Sequence, residues 1–158
     1  MLKLFECKFG LSKHKMKIDF LTLFNETNST KNAETNEIDI TSPLIVAEEG
    51  DYQIKSPCQI SSTVNTQIKC DIIEIFSPSV SFSGITFETN IILDTSNEFT
   101  FKNCTIKSTK KQADSVISVN FSQKVLIEDC KIFESTDCVG ITVNFSSIIK
   151  IINTEICN

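Results

Sequence analysis

Acidic side chains are the first candidates for chemistry in this sequence. The densest group contains Glu128, Asp129, Glu134 and Asp137. Carboxylate oxygens are the ligands that calcium prefers, and paired carboxylates act as acid and base in sugar hydrolysis. Asp129 also suits a sharp corner of the backbone, while Glu134 and Asp137 suit a solvated loop. We therefore expect no metal site and no catalytic pair in this stretch.

Thiols are the second candidates. The seven cysteines are Cys7, Cys58, Cys70, Cys104, Cys130, Cys138 and Cys157. Their number is odd, and no two have the Cys-x-x-Cys spacing of a zinc or redox site. The single histidine, His14, lies among lysines without cysteine or acidic ligands at useful spacing. We therefore expect neither zinc nor another cofactor.

The elements that position these side chains follow from a phrase that occurs four times. Its copies are Val80–Phe87, Phe99–Ile106, Val125–Ile132 and Ile149–Ile156, and their second apolar residues lie 19, 26 and 24 residues apart. Apolar residues alternate with other residues in each copy, which indicates a strand with one buried face. A repeat of this length predicts one structural unit stacked on itself.

The fifth position of each copy interrupts the alternation. It is occupied by Gly84, Asn103, Asp129 and Asn153. Glycine, asparagine and aspartate tolerate a left-handed backbone, which bends a strand within a single residue. The phrase therefore predicts a strand, a one-residue corner and a second strand.

A third strand precedes the later copies. Residues 117–122 (Ile-Ser-Val-Asn-Phe-Ser) recur as residues 141–146 (Ile-Thr-Val-Asn-Phe-Ser), and residues 91–94 occupy the same place one repeat earlier. Three short strands per repeat predict an all-β parallel β-helix of about four to five coils. We expect two columns of inward side chains. The first contains Phe82, Phe101, Ile127 and Ile151, and the second contains Ile85, Cys104, Cys130 and Thr154.

Cys104 and Cys130 are neighbours in the second of these columns. Neighbouring strands lie about 4.8 Å apart, so the spacing permits a disulfide between the two residues. Ile85 occupies the same column, and a free cysteine packs as a small apolar residue. We therefore favour buried free thiols.

The phrases resemble the repeats of right-handed parallel β-helix proteins, the pectate-lyase-like superfamily. Residues 50–54 also carry a Gly-x-Tyr-x-Ile pattern that resembles the start of the first coil in such domains. The resemblance extends from Ile38 to Asn158. It implies a right-handed solenoid, in this case a non-catalytic member or a fragment of one.

The resemblance also implies where catalytic groups would stand, which is on the outer face of the coils. Lyases of the superfamily typically use calcium-binding acids with a basic residue, often arginine, and its hydrolases use clustered aspartates. The outward residues of the phrases are Ser81, Thr100, Leu126 and Lys150, and Ser83, Lys102, Glu128 and Ile152. Neither catalytic set occurs among them, and the chain contains no arginine and no tryptophan. We therefore predict a protein without enzymatic activity.

Residues 1–24 differ from the repeats, because apolar residues are interleaved there with five lysines. We interpret them as an amphipathic cap that covers the N-terminal end of the solenoid, because stacked repeats require such a cap. The alternative is an amphipathic helix that lies on a membrane. Residues 25–37 are polar and predict a solvated linker. Residues 38–158 then form the β-helix domain.

The composition of the chain limits which partners and which cellular compartment we expect. A net charge of −5 without any arginine argues against nucleic-acid binding, which depends on neutralising phosphates. Neither a secretory signal nor a transmembrane segment is apparent, so we expect a cytoplasmic protein. Asn-x-Ser/Thr sequons then reflect composition rather than glycosylation; they begin at Asn25, Asn28, Asn103, Asn120 and Asn144.

A non-enzymatic module that presents a repetitive outer face to a protein or glycan partner is the function we favour. A carbohydrate-active lyase or hydrolase fragment and a surface adhesin are the alternatives, because one solenoid scaffold serves many tasks. The last phrase ends at Ile156 without a capping segment, and an open terminal coil invites strand addition. We expect this coil to pair with another subunit or with further coils.

Overall fold

The computed structural model describes residues 18–24, 29–32, 36–47, 50–95, 98–109, 114–133 and 139–157. In this part of the chain the regular elements are strands, apart from one 3-10 helix, Phe20–Leu23. The strands are β1 (Ile18–Asp19), β2 (Ser29–Asn32), β3 (Glu37–Ile40), β4 (Leu44–Ala47), β5 (Asp51–Ile54), β6 (Cys58–Ser62), β7 (Thr66–Ile75), β8 (Ser79–Ser83), β9 (Thr86–Asp94), β10 (Glu98–Lys102), β11 (Thr105–Lys107), β12 (Ser115–Asn120), β13 (Lys124–Glu128), β14 (Lys131–Phe133), β15 (Val139–Asn144), β16 (Ile148–Ile152) and β17 (Glu155–Cys157).

Pairing between successive turns stacks these strands on three faces. Face 1 contains β2, β3, β6, β8, β10, β13 and β16 in that order. Face 2 contains β4, the first halves of β7 and β9, then β11, β14 and β17. Face 3 contains β1, β5, the second halves of β7 and β9, then β12 and β15. The result is a β-solenoid of about five turns.

The prediction of an all-β solenoid with parallel stacked coils is confirmed. The number of strands per turn differs in the second and third turns, where one long strand covers faces 2 and 3. The first half of β7 pairs with β4 and its second half with β5, and its register with β9 breaks between Lys69 and Ile72. The chain bends at this break without leaving the strand.

The first expected column lies inside the solenoid, because parallel register places equivalent residues side by side. Phe82 pairs with Phe101, and Ile127 lies between Phe101 and Ile151. The rings of Phe82 and Phe101 stack with centroids 5.6 Å apart, and the first three residues are completely buried. Ile151 instead is 47 % exposed, because β16 pairs with β13 on one side and with no described strand on the other.

The second expected column lies at the bend between faces 1 and 2. Ile85, Cys104 and Cys130 are each 1 % exposed. Thr154 is half-buried, and its hydroxyl donates to the carbonyl of Ile152 at 3.0 Å. The polar member of this column therefore stands where the interior opens, and it satisfies its hydroxyl on the local backbone.

Left-handed residues form this bend. The backbone φ is 72° at Gly84, 52° at Asn103, 54° at Asp129 and 48° at Asn153. Hydrogen bonds between coils run through the corner, since the Asn103 N–H donates to the Glu128 carbonyl at 3.1 Å. The side chains add to this ladder, because the Asn153 amide donates to the Asp129 carboxylate at 3.2 Å.

Residues just before the first turn cover the N-terminal end of the solenoid. β1 pairs with β5, and the buried ring of Phe20 packs edge-on against Tyr52 and Phe82 with centroids 6.2 and 5.9 Å away. Residues 18–24 of the expected cap therefore contribute to the core. Residues 1–17 lie outside the described part of the chain.

Part of the stretch expected as a linker, residues 25–37, is a strand. β2 pairs antiparallel with β3 at the edge of face 1, and three of its four side chains are exposed. Backbone hydrogen bonds to β3 attach such a strand whatever its side chains are, so its sequence needs no apolar alternation. The polar composition of residues 25–37 therefore gave no indication of strand β2.

Shortening Ile127 to alanine should destabilise the protein by about 2–5 kcal/mol, because it leaves a cavity in a closed column. The same change at Ile151 should cost only about 1 kcal/mol, because half of that side chain already faces water. Urea unfolding followed by circular dichroism measures both variants. Equal losses would contradict the difference between a closed and an open end of the column.

Gly84→Ala should destabilise the protein by roughly 2–5 kcal/mol, from backbone strain and overpacking together. A Cβ at this position would lie 2.0 Å from the carbonyl oxygen of Ser62, and the φ of 72° is unfavourable for alanine. The matched control is Asn103→Gly, which should change stability by less than about 1 kcal/mol because glycine adopts this backbone freely. Thermal unfolding compares the two, and a fully stable Gly84→Ala variant would contradict the corner geometry.

Candidate functional site

The outer surface of face 1 carries the outward residues of the four phrases, which is where the resemblance would place catalytic groups. The register aligns Ser81, Thr100, Leu126 and Lys150 in one outward column, and Ser83, Lys102, Glu128 and Ile152 in another. Residue type changes from coil to coil in both columns. Hydroxyl, basic, acidic and apolar groups therefore follow one another at a spacing of about 4.8 Å.

Charged groups on this surface face opposite charges on the next coil. Lys102 Nζ lies 3.0 Å from the Glu128 carboxylate, and Lys124 Nζ lies 3.2 Å from that of Glu98. The hydrogen bond to Glu128 raises the pKa of Lys102. Glycoside cleavage requires two carboxylates directed at the same bond, whereas each of these carboxylates is engaged by a lysine.

The two described members of the acidic group, Glu128 and Asp129, lie on different parts of the surface. Glu128 lies on the outer side of face 1, and Asp129 forms a corner. Candidate residues outside the described part of the chain are Glu134, Asp137, Cys7, His14 and Cys138. Among the described residues, no group of three or more histidine, cysteine or acidic side chains is placed to hold a metal ion.

The cysteines that the structure describes are free thiols, and four of the five are buried; they are Cys58, Cys70, Cys104, Cys130 and Cys157. Burial raises the pKa of Cys58 to about 12 and that of Cys70 to about 11. The hydrogen bond between the Cys104 and Cys130 sulfurs raises the pKa of Cys104, and burial acts in the same direction. The same hydrogen bond lowers the pKa of Cys130. The buried thiols of Cys58, Cys70 and Cys104 stay protonated, and they therefore act as packing groups rather than nucleophiles.

A second left-handed corner follows face 3 and carries exposed aromatic side chains. Phe121 and Phe145 both have a backbone φ of 52°. Their rings stack with centroids 5.2 Å apart and an interplanar angle of 8°, and they are 58 % and 85 % exposed. These two phenylalanines therefore form a ladder on the outside of the solenoid, parallel to the one formed by Phe82 and Phe101 inside.

The ends of β12 and β15 position this aromatic pair. β12 ends at Asn120 and β15 at Asn144, and the Phe121 N–H donates to the Asn144 carbonyl at 3.0 Å. The next residue, Ser122, is buried, and its N–H donates to the Ser146 hydroxyl at 3.2 Å. The serine takes the inward position at the turn, which leaves the phenylalanine on the outside.

An amide ladder lies beside the rings. The Asn144 side-chain amide donates to Asn120 Oδ1 at 3.0 Å, and the Asn120 amide donates to the Ser118 hydroxyl at 3.4 Å. Asn120, Phe121, Asn144 and Phe145 are together called the Asn–Phe corner below. It combines two aromatic rings and two amides at the spacing of the coils.

The Asn–Phe corner is costly for folding. A left-handed backbone costs an ordinary L-residue roughly 1–2 kcal/mol, and a stacked aromatic pair returns about 0.5–1.5 kcal/mol. The preceding turn has Thr95 with a φ of 57°, so the backbone itself does not require phenylalanine. Exposed rings held in an unfavourable conformation are typical of a surface that binds.

A shallow cavity near the N-terminal end is a weaker candidate for a binding site. Its volume is about 250 Å³, and it is lined by Ile18, Asp19, Gln53, Lys55 and Ser56. The Asp19 carboxylate accepts the Leu21 N–H at 3.0 Å and so caps the 3-10 helix. The acidic group of this cavity therefore has a structural task.

Comparison with known proteins identifies no relative, because no family model, no curated protein and no solved structure matches the chain. Within the described ranges, no helix has the length and apolar character needed to cross a membrane. The surface chemistry of the solenoid is therefore the basis on which a function is assigned.

The buried thiols predict a loss of stability at alkaline pH. Unfolded cysteines ionise near pH 9.0, whereas Cys58 and Cys70 keep their protons up to pH values of about 12 and 11. Above pH 9.0 the unfolded state releases protons first, so the free energy of unfolding falls as the pH rises, by up to about 1.4 kcal/mol per pH unit for each thiol. Urea unfolding across this range measures the slope.

The control for this prediction is the double variant Cys58→Ala/Cys70→Ala. It should be less stable at neutral pH, because two buried side chains are shortened, but its stability should fall less steeply above pH 9. An identical slope in the unmutated protein and the variant would assign the alkaline loss to other groups.

Proposed function

We propose that this protein is a non-enzymatic binding or scaffold module, whose solenoid presents its outer surface to a protein or glycan partner. The observation that supports this most directly is the Asn–Phe corner. A right-handed winding and a relation to the pectate-lyase-like superfamily are part of the same proposal, and they rest on the resemblance of the repeats.

The order of the corner supports a binding role. The two rings are parallel to within 8°, and the backbone of Phe121 is hydrogen-bonded to the next coil. A surface whose side chains are already held in place loses little conformational entropy when a partner binds. The solenoid therefore provides a preorganised array instead of a flexible loop.

The chemistry of the corner suits both classes of partner. One face of the Phe145 ring stacks on Phe121, while the residue is 85 % exposed. An exposed aromatic face packs against the apolar face of a sugar ring or against an apolar side chain. The neighbouring amides supply a hydrogen-bond donor and acceptor in a fixed place.

A carbohydrate-active enzyme or a fragment of one is the first alternative. It would require acid and base groups that converge on a single bond. The carboxylates of Glu98 and Glu128 are instead held by lysines of the adjacent coil. This pairing favours a structural task for the outer charges of face 1.

A cytoplasmic location is part of the proposal, and a surface adhesin is the alternative that differs in compartment. Cys104 and Cys130 are hydrogen-bonded neighbours and yet remain free thiols. An oxidising compartment would favour a disulfide at such a position. Glycans on Asn120 or Asn144 in the native protein would favour the adhesin instead.

Phe145→Asn should weaken partner binding at least tenfold, while stability changes by less than about 1 kcal/mol, because relief of backbone strain offsets the lost stacking. Binding is measured by screening the whole chain on a glycan array and by a pull-down from a cell extract, followed by titration of the partner that each method identifies. Unfolding by urea measures the stability.

The matched control is Ile45→Ala, which shortens another exposed apolar side chain. Ile45 is 67 % exposed and lies in β4 of the first turn, away from the Asn–Phe corner. Binding should be unchanged in this variant. Full affinity in Phe145→Asn would remove the corner from the proposal, and turnover of a saccharide would contradict a non-enzymatic function.

A further inference from the structure

The C-terminal end of the solenoid exposes residue positions that are buried in the preceding coil. The exposed residues are Ile151, Ile156 and Val143, with exposures of 47 %, 46 % and 43 %. Their neighbours in the same columns, Ile127, Ile132 and Val119, are completely buried. One additional layer of backbone and side chains would therefore complete the interior at this end.

The outer side of the last strand is apolar as well. Ile148 and Ile152 stand at the two ends of β16 and are 51 % and 40 % exposed. The preceding positions in their outward columns are Lys124 and Glu128, which form ion pairs with the coil before them. Charged residues give way to isoleucine in this last strand, which is the pattern expected of a covered edge.

We propose that this edge binds the same edge of a second copy of the chain. In the complex, the two β16 strands run antiparallel about a two-fold axis that passes beside Lys150. The sequence of β16, Ile-Ile-Lys-Ile-Ile, reads the same in both directions. Centring the pair on Lys150 therefore places apolar residues opposite apolar residues on both sides of the axis, with the two lysines at the axis itself. A two-fold interface requires such self-complementarity of its apolar part.

The antiparallel register extends this match to both sides of the strand. Ile148 faces the partner's Ile152 on the outer side, and Ile149 faces the partner's Ile151 on the inner side. β16 has no neighbour among the described strands on this side, and the N–H and C=O groups of its free edge become hydrogen-bonded to the same edge of the second copy.

The apolar area at this end forms the centre of a dimer interface. Six residues contribute most of it: Val139, Val143, Ile148, Ile151, Ile152 and Ile156, with exposures between 40 % and 58 %. They present roughly 300 Å² of apolar surface per chain, or roughly 600 Å² for the pair. A specific interface buries about 1,000 Å² or more in total, so the backbone edges and polar side chains of the last coil contribute the remainder.

The charges at this end provide a test of the antiparallel register between the two β16 strands. Glu155 is paired with Lys131 at 3.4 Å, so Lys150 is the charge that the two-fold axis brings close to its own copy. Like charges directly opposite each other destabilise a strand pair, and opposite charges stabilise it. A charge exchange at this residue therefore tests the antiparallel register itself.

The first experiment measures the mass of the 158-residue chain by sedimentation equilibrium between about 1 and 100 µM, where an interface of this size associates. The unmutated chain should form a dimer, and Ile152→Lys should shift association at least tenfold toward monomer. Ile45→Lys is the matched control, since it places the same charge on an exposed isoleucine of the first turn and should leave the dimer unchanged. Circular dichroism verifies that each variant is folded.

The second experiment mixes the unmutated chain with the Lys150→Glu variant. Mixed dimers should exceed the statistical one half, because the mixture places a glutamate opposite a lysine. A monomer throughout the concentration range would overturn the proposal and leave further coils or another protein as the occupant of this edge. Open-ended assemblies, or a mixture at the statistical ratio, would overturn the two-fold register.

Discussion

In-register hydrogen bonding between successive coils is the constraint on which the rest of this structure depends. Strands one turn apart lie about 4.8 Å from each other, so side chains at equivalent positions touch whether or not their chemistry is compatible. The interior meets this constraint by stacking Phe82 on Phe101 at 5.6 Å. The outer surface meets it with opposite charges, as between Lys102 and Glu128 at 3.0 Å. Stability is therefore a sum of contacts between nearest coils.

The same constraint explains how much of the fold was predictable from the sequence. An inward column must be apolar in every coil, and a one-residue corner must tolerate a left-handed backbone, so Phe82 and Gly84 are recognisable by residue type alone. β2 was missed because an edge strand attached through its backbone needs no apolar pattern. The exposure of Ile151 follows from the open terminal coil that the sequence predicts and not from the repeat itself. Burial of an inward residue depends on the coil that follows it, and a single repeat carries no information about its neighbour.

The Asn–Phe corner was harder to predict, because its residue types conceal its geometry. Alternation after Val119 places Phe121 inward, whereas the structure ends the strand at Asn120 and turns the backbone left-handed at the next residue. Thr95 and Phe145 adopt the same conformation, and neither residue type signals it. The available signal was the recurrence of Asn-Phe-Ser after 24 residues. An asparagine that ends a strand, followed by a buried serine, leaves only the outside for the phenylalanine between them.

Regular stacking also governs the outer surface of the solenoid. Side chains stand there in parallel rows at a constant spacing, so each outer group faces its equivalents on the neighbouring coils. Where such rows carry charge, neighbouring coils neutralise each other, as Glu98 and Lys124 do. Two described places are arranged differently: the Asn–Phe corner, where the column partners are aromatic rings, and the last strand, which no described coil follows. Exposed apolar side chains therefore accumulate where a column stacks rings on the outside or lacks its next described member.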